Sequence, residues 1–357
     1  MNGVVIGVLT AKAVFFPLDR QLELDCGSWS RALVQLAVWL ASQASYGASA
    51  EILDRVGQMP MSSSSVWRQM ESWGNKLVQE EKEASQQANA MPSRDEPQRG
   101  QAHHERRMGV SMDGWMIYIR GEEWKEVKSG SVFEVESVTV TDRQTGEPME
   151  RAAAVACTYV AHLGGPDEFG SKLWAEAQQR HVPGAKATVC VCDAAAWIWE
   201  RCQDYFPDAE QVVDWYHALT HLHAAAQLGC GQDTPAAQRW LEQSQHLLFH
   251  GHADRIAQQI DAFARTATGE TADRLRTEAT FFRNQQRRMR YLQYREDGWP
   301  IGSGVMESGC KQLQARFKGA GMRWSRSGAD RLLAFRAVFL SGRFDTTWAH
   351  LLNSPAA

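Results

Sequence analysis

Residues 187–214 read ATVCVCDAAAWIWERCQDYFPDAEQVVD, and this stretch decides the fold. The run from 187 to 192 is short and apolar, as expected of a buried strand, and residues 194–206 show helical spacing of apolar side chains. A second short strand is predicted over 209–214, followed by a helix over 215–228. Strand, helix, strand and helix in close succession predict an α/β layer structure.

Three longer strands precede this unit. Residues 108–120, 123–140 and 152–163 are predicted strands joined by short turns, and Gly165-Pro166 starts a helix that runs to about residue 180. The order βββαβαβα is that of a ribonuclease-H-like domain. We therefore predict an α/β fold with a ribonuclease-H-like mixed sheet, which accepts an all-α insertion and is preceded by an N-terminal helical domain.

The domain boundaries follow from changes in composition. We predict an N-terminal helical domain over 1–80, a polar, Gln-rich linker over 81–106 and the core over 107–228. A helical insertion would occupy 229–290, and residues 291–357 would return to the core.

The N-terminal domain is open to two interpretations. Ser62–Ser65 can cap a helix that begins near Val66, so this helix could be the recognition helix of a helix-turn-helix. A small helical bundle without DNA contact is an equally good interpretation.

Composition excludes several classes of protein. The chain has 357 residues, of which 44% are hydrophobic and 22% charged, and it has no apolar run near the roughly 20 residues of a membrane span. It starts without a signal-peptide pattern, and its seven cysteines include no Cys-x-x-Cys pair. We therefore expect a cytoplasmic protein with reduced thiols and no structural zinc.

Three carboxylates stand where this fold would place chemistry. Asp113 lies in the first predicted strand, Asp193 ends the fourth, and Glu307 follows the Gly302-Ser303-Gly304 turn at the start of a late helix. Hard oxygen ligands of this kind suit Mg²⁺ or Mn²⁺, and two such ions about 4 Å apart activate an attacking oxygen and stabilise a leaving one. The set therefore predicts metal-assisted phosphodiester transfer.

Each acid also has an ordinary explanation. Asp113-Gly114 is a common hairpin-turn dipeptide, Asp193 is suited to cap the following helix, and Glu307 is favoured by the dipole in a first helical turn. The order of the three acids along the predicted strands favours the joint interpretation.

Glu307 lies in the most basic part of the chain. Residues 281–343 contain thirteen Lys or Arg and four Asp or Glu, so this tract is about +9 although the whole chain is −4. We predict a DNA-binding track whose members are Arg316, Lys318, Arg323, Trp324 and Arg326. The alternative is a solvated helix face.

Other motifs are less informative. Asp214 and His217 are candidate auxiliary residues, while His221 and His223 fall on different helix faces and do not favour a zinc site. Gly302-x-Gly304 lacks the third glycine of a dinucleotide-binding motif, because Glu307 occupies that place, and the chain has no Walker-type Gly-Lys-Ser/Thr run. We therefore expect no nucleotide cofactor.

Five separated blocks carry a resemblance to a known family: CDAAAWIW (192–199), FPDA (206–209), VDWYHA (213–218), PIGSGVMES (300–308) and GMRWS (321–325). They resemble, in order, signatures of the Kra group of bacterial insertion-sequence transposases. The similarity extends from about Phe15 to Trp348.

The resemblance implies a DDE transposase that cuts insertion-sequence ends and joins their 3′-hydroxyls to target DNA. Asp113, Asp193 and Glu307 match the family's three acids and would hold two Mg²⁺ or Mn²⁺ ions. Asp214 and His217 match an Asp-x-x-His element found beside the active site of related transposases. The implied partners are element ends and target DNA, with the protein acting as a homo-oligomer on DNA. The implied location is the bacterial cytoplasm, in association with the nucleoid.

The chain departs from the family pattern at two places. Cys192 and Ala194 replace the glycines that usually flank the second acid, and an N-terminal cysteine-containing segment of many relatives is not found. Two other functions therefore compete with transposition: a ribonuclease-H-like nuclease of recombination or repair, and a catalytically inactive DNA-binding descendant.

Overall fold

A computed structural model describes residues 29–90, 105–141 and 146–354. The described residues fall into two compact units. The first unit is drawn from Met1–Lys82, Tyr118–Glu123 and Leu313–Ala357, and the second from Glu83–Ile117 and Trp124–Gln312. Parts of the predicted N-terminal domain, up to residue 28, and of the predicted linker, 91–104, lie outside the described residues.

The regular elements alternate as the sequence predicts. The strands are β1 (Arg107–Ile119), β2 (Glu123–Thr141), β3 (Pro148–His162), β4 (Ala187–Cys192) and β5 (Glu210–Val213). The helices in the described part of the chain are α1 (Arg31–Gln43), α2 (Tyr46–Arg55), α3 (Ser63–Ala90), α4 (Pro166–Gln179), α5 (Ala196–Tyr205), α6 (Trp215–Cys230), α7 (Pro235–Phe249), α8 (Ala253–Thr266), α9 (Gly269–Gln285), α10 (Tyr291–Glu296), α11 (Gly304–Ala315), α12 (Arg326–Leu340) and α13 (Phe344–Asn353).

The five strands form one mixed sheet with the order β3-β2-β1-β4-β5. β2 and β3 pair antiparallel, whereas β4 is parallel to both of its neighbours, β1 and β5. The parallel pairs require helical crossovers, which α4 and α5 provide. The predicted mixed α/β sheet is confirmed.

The burial of β4 fits its position between two parallel neighbours, β1 and β5. Val189, Cys190, Val191 and Cys192 are fully buried, as expected of a strand covered on both faces. Apolar side chains of α5 and α6, including Trp199 and Leu222, complete this core.

Helices follow the strands in the second unit where an insertion was predicted. α7, α8 and α9 occupy residues 235–285, and their buried stripes include Leu248, Ile256, Ile260 and Phe282. The described residues of 229–290 contain no strand, which agrees with an all-α segment.

The C-terminal segment belongs with the N-terminal helices, which corrects the predicted assignment of all of 291–357 to the core. In the first unit, Trp73 of α3 stacks on Trp348 of α13 with ring centroids 4.4 Å apart. Arg316 and Arg336 donate hydrogen bonds to the Ala41 and Ser42 carbonyls at the end of α1. These buried contacts tie residues 313–354 to the first unit.

The predicted linker is also partly wrong, because α3 continues through residues 81–90. This polar segment is rich in Glu, Ala, Gln and Lys, which have high helix propensity. Its end packs within the second unit, where the Asn89 amide donates to Ser171 and Gln178 donates to the Ala88 carbonyl.

Two further findings concern the described residues. None of their helices has the length and apolar character needed to cross a bilayer. The six cysteines among them, Cys157, Cys190, Cys192, Cys202, Cys230 and Cys310, are all free thiols.

Candidate active site

Asp113 and Asp193 lie on neighbouring parallel strands in the second unit. The β1–β4 register pairs Arg107 with Ala187 and Val110 with Cys190. Continued for three residues, it sets residue 113 beside residue 193. Asp113 lies inside β1, and the turn to β2 comes only after residue 119, so the hairpin-turn explanation for Asp113 is wrong.

Asp193 directly follows β4 and does not cap the next helix. The N-cap of α5 is Ala195, with no side-chain cap bond, so the capping explanation for Asp193 is wrong. The pKa of Asp193 is raised to about 7, mainly by burial and then by the charges of Asp113 and Asp214, with a small contribution from Glu307 and an opposing one from His221. The end of β4 therefore lies in a concentrated negative field.

Glu307 occupies the first turn of α11. Its backbone N–H donates to the Ser303 carbonyl at 3.0 Å, and its carboxylate accepts from Lys311 Nζ at 2.6 Å. The side chain is 61% exposed, and its position in the first turn also agrees with the helix-dipole explanation. Its charge makes a small contribution to the raised pKa of Asp193, and the turn that precedes it is bonded to Asp214 through the Ser303 N–H.

Asp214 connects the segments that carry the acids. Its carboxylate caps α6 by accepting from the His217 N–H at 2.7 Å, and it also accepts from the Ser303 N–H. Its own N–H donates to the Cys192 carbonyl at 2.8 Å. One buried residue, through its backbone and its carboxylate, thus fixes the end of β4, the start of α6 and the turn that leads into the Glu307 helix.

His217 is the imidazole nearest to the acids. Its Nδ1 lies 3.6 Å from an Asp193 carboxylate oxygen. Burial, followed by the neighbouring His221, lowers the pKa of His217, so the neutral imidazole predominates at neutral pH. A neutral ring in this position can accept a proton or a hydrogen bond beside Asp193.

Cys192 and Ala194 flank Asp193 at the two positions where the resemblance implies glycine. Their side chains do not crowd the acids from the core side. Cys192 is fully buried, and its sulfur accepts a hydrogen bond from the Met112 N–H at 3.3 Å. Cys192 is therefore part of the β1–β4 packing. Ala194 adds only one methyl group beside Asp193.

Sequence reasoning missed two residues of α11. The Cys310 thiol lies beside Asp113, and burial together with the Asp113 charge raises the pKa of that thiol strongly. Gly309 lies against the Tyr159 ring, which a Cβ at this position would overlap. Gly309 and Cys310 follow Glu307 by two and three residues on the same helix. This short separation in the sequence is the signal that could have identified them.

The acids fit a hard divalent cation. Their oxygens are the ligands that Mg²⁺ and Mn²⁺ prefer, and the pKa of Asp193 is raised by burial and by neighbouring carboxylates whose charge a cation would neutralise. Across the described residues, however, no group of three His, Cys, Asp or Glu side chains already has the arrangement of a complete metal site.

The predicted DNA-binding residues lie in the first unit and differ in accessibility. Arg316 is 2% exposed, its guanidinium contacts the Tyr46 and Trp324 rings, and burial lowers its pKa to about 10. A phosphate track that includes Arg316 is therefore wrong for this conformation. Lys318 and Arg323 are exposed.

Trp324 and Arg326 have structural partners as well. The Trp324 indole donates to the Phe317 carbonyl, and its backbone pairs with β1 at Ile119. Arg326 forms a bidentate ion pair with Glu122. Both residues therefore brace the β1–β2 turn.

Comparison with protein-family models gave no match, and comparison with curated proteins gave no significant match. The resemblance to insertion-sequence transposases thus rests on the sequence blocks quoted above and stays a prediction.

Proposed function

We propose that the protein is a DDE transposase with a ribonuclease-H-like core. The observation that carries the proposal is the parallel β1–β4 register that leads to Asp113 and Asp193, together with the bonds of Asp214 to the end of β4 and to the turn before the Glu307 helix. Two strands and a distant helix contribute one acid each, and turn formation and helix capping do not account for the two aspartates. The sheet order β3-β2-β1-β4-β5 supports the proposed core.

Asp113, Asp193 and Glu307 would hold two Mg²⁺ or Mn²⁺ ions. When bound, these ions would supply Lewis-acid stabilisation of the attacking and leaving oxygens of a phosphodiester. Water would be the first nucleophile and the freed 3′-hydroxyl the second, so no covalent bond to the protein is needed.

The protein's own residues would orient the acids. Asp214 fixes the Ser303 turn and with it the start of the Glu307 helix. Lys311 neutralises Glu307 and would lie close to the substrate phosphates. His217 would hold or release a proton beside Asp193.

DNA is the proposed partner. Arg326 of the predicted track is exposed but pairs with Glu122. Lys318 and Arg323 of that track are exposed as well, and the start of α3 exposes Ser63, Ser64 and Arg68. These residues would contact phosphates and support end recognition by the N-terminal helices. Joining two element ends to one target requires two active sites, which is consistent with a homo-oligomer on DNA.

A cleavage assay with matched variants tests the proposal. Purified protein is incubated with Mg²⁺ and DNA that carries the inverted repeats flanking the coding sequence. Wild-type protein should leave 3′-hydroxyl ends and then yield strand-transfer products. Asp113→Asn, Asp193→Asn and Glu307→Gln should each lose cleavage but keep DNA binding.

The other outcomes identify the competing functions. Metal-dependent cutting without end preference or strand transfer would indicate a ribonuclease-H-like nuclease. End binding without cleavage in either metal would indicate an inactive DNA-binding descendant. Substantial activity in any one of the three variants would refute the assignment of the acids.

A further inference from the structure

Helix α9, in the predicted insertion, presents two side chains to α6. Glu278 Oε2 lies 2.7 Å from His221 Nδ1, and the Phe281 ring stacks on the His221 ring at 3.7 Å with an interplanar angle of 18°. The Glu278 side chain is only 15% exposed, so its bond to His221 is shielded from water. Glu278 and Phe281 are three residues apart and share one face of α9.

His221 extends this contact to the candidate active site. It follows His217 by one helical turn, and the two rings meet edge to face at 4.9 Å. Phe281 also contacts the His217 ring, at 6.0 Å. His217 in turn lies 3.6 Å from Asp193, so a continuous series of contacts joins α9 to the acid at the end of β4.

We propose that Glu278 is a positioning residue of the active site, acting through His221 to hold His217 beside Asp193. The inference rests on the proposed function and assigns the insertion a direct part in it. A carboxylate on Nδ1 keeps the proton on that nitrogen and fixes the ring orientation. Without Glu278, the His221 ring keeps its stacking on Phe281 but loses the bond that fixes its tautomer and orientation, which weakens its restraint on the His217 ring.

The simpler explanation is that Glu278 and His221 only attach α9 to α6. Glu278→Ala separates the two explanations by kinetics. Positioning predicts a fall in kcat for DNA cleavage of about 10–100-fold, the usual effect of removing a residue that orients a ligand. KM for DNA should stay unchanged, because Glu278 contacts His221 and not the substrate.

Two matched variants sharpen the result. Glu278→Gln keeps an oxygen that accepts the His221 N–H and should restore most of kcat. Asp273→Ala removes an exposed acid on the same helix, where Asp273 pairs with Arg276, and should leave kcat unchanged. If Glu278→Ala does not fold, the pair Glu278→Leu and His221→Phe removes both polar partners, and its kcat should still be low.

A second readout does not depend on activity. Nitrogen-15 NMR of the histidine side chains in metal-free protein should show the Nδ1–H tautomer of His221 in wild type and in Glu278→Gln. Glu278→Ala should lose this signal and shift that of His217. If the wild-type protein cleaves no DNA, the proposed function fails, and the NMR result still decides the positioning claim.

Two results would overturn the proposed role of Glu278. If Glu278→Ala lowers only the melting temperature, while kcat and the His217 resonances match wild type, then Glu278 is a structural residue. Failure of Glu278→Gln to restore either readout would also overturn the proposal.

Discussion

The raised pKa of Asp193 makes the free energy of unfolding depend on pH in a defined direction. In the folded protein this carboxyl holds its proton up to about pH 7, whereas its ordinary pKa is 3.8. The folded state therefore binds more protons than the unfolded state between these values, and stability falls as pH rises from about 4 to 7. Below about pH 4 Asp193 is protonated in both states and its ionisation costs no stability. Above about pH 7 the full free-energy cost of ionising Asp193 in the folded protein is present.

The size of this cost follows from the shift. Three pKa units correspond to about 4 kcal/mol, at 1.36 kcal/mol per unit, for a fully shielded group. The Asp193 side chain is 36% exposed, so solvent screening reduces the cost to about 2 kcal/mol. Asp193→Asn cannot ionise, and should therefore stabilise the metal-free protein by about 2 kcal/mol at pH 8.5 and by less than half of that at pH 5.

Thermal unfolding in EDTA measures this difference. For a unit of this size, 2 kcal/mol corresponds to roughly 4–8 °C in Tm. Glu200→Gln changes an exposed acid on α5 and should have no effect at either pH. A gain in Tm that is equal at pH 5 and pH 8.5, or a loss at pH 8.5, would refute the view that Asp193 ionises among other acids.

Three further predictions concern packing and charge. Gly309→Ala should destabilise the protein by about 1–3 kcal/mol and reduce cleavage, because the new methyl group must displace a tyrosine ring. Gly304→Ala places its methyl group in open space and should leave the midpoint of urea unfolding unchanged. Replacing Lys318 and Arg323 by Gln should reduce the slope of log K against log salt by about 2 if both contact phosphates, and an unchanged slope would show that they do not. Arg316→Met should shift the unfolding midpoint and leave the salt slope of DNA binding unchanged, because this guanidinium is buried against a carbonyl; a reduced slope would contradict its buried position.

Most of the sheet was predictable because its strands carry simple patterns. The predicted strand over 187–192 coincides with β4, and the prediction over 123–140 differs from β2 (Glu123–Thr141) by one residue. An apolar run as short as β4 fits few secondary structures other than a buried strand. The sequence also predicted that Asp113 and Asp193 lie close together, because the first is in the first predicted strand and the second ends the fourth. The register of β1 and β4 agrees with this prediction.

The tertiary partners of the basic C-terminal residues were harder to predict from the local sequence pattern. The basic tract looked like one phosphate-binding surface, yet Arg316 and Arg336 are buried against carbonyls at the end of α1. Charge along the sequence does not reveal such partners, which lie nearly 300 residues away. The same limit explains why residues 313–354 were assigned to the core.

The contribution of Glu278 was also invisible in the sequence. Its partner His221 lies 57 residues earlier, and neither residue belongs to a motif with a known spacing. His217 was predicted because Asp214-x-x-His217 resembles an element of related transposases, and in the structure Asp214 caps α6 by accepting from the His217 N–H.

The central claim is that Asp113, Asp193 and Glu307 share divalent metal ions. Its most direct test is a crystal structure of the protein soaked in Mn²⁺, with the ion located by anomalous diffraction. The account predicts Mn²⁺ bound to oxygens of all three carboxylates, with Glu307 turned away from Lys311. A well-ordered Mn²⁺ ion that touches none of the three would contradict it.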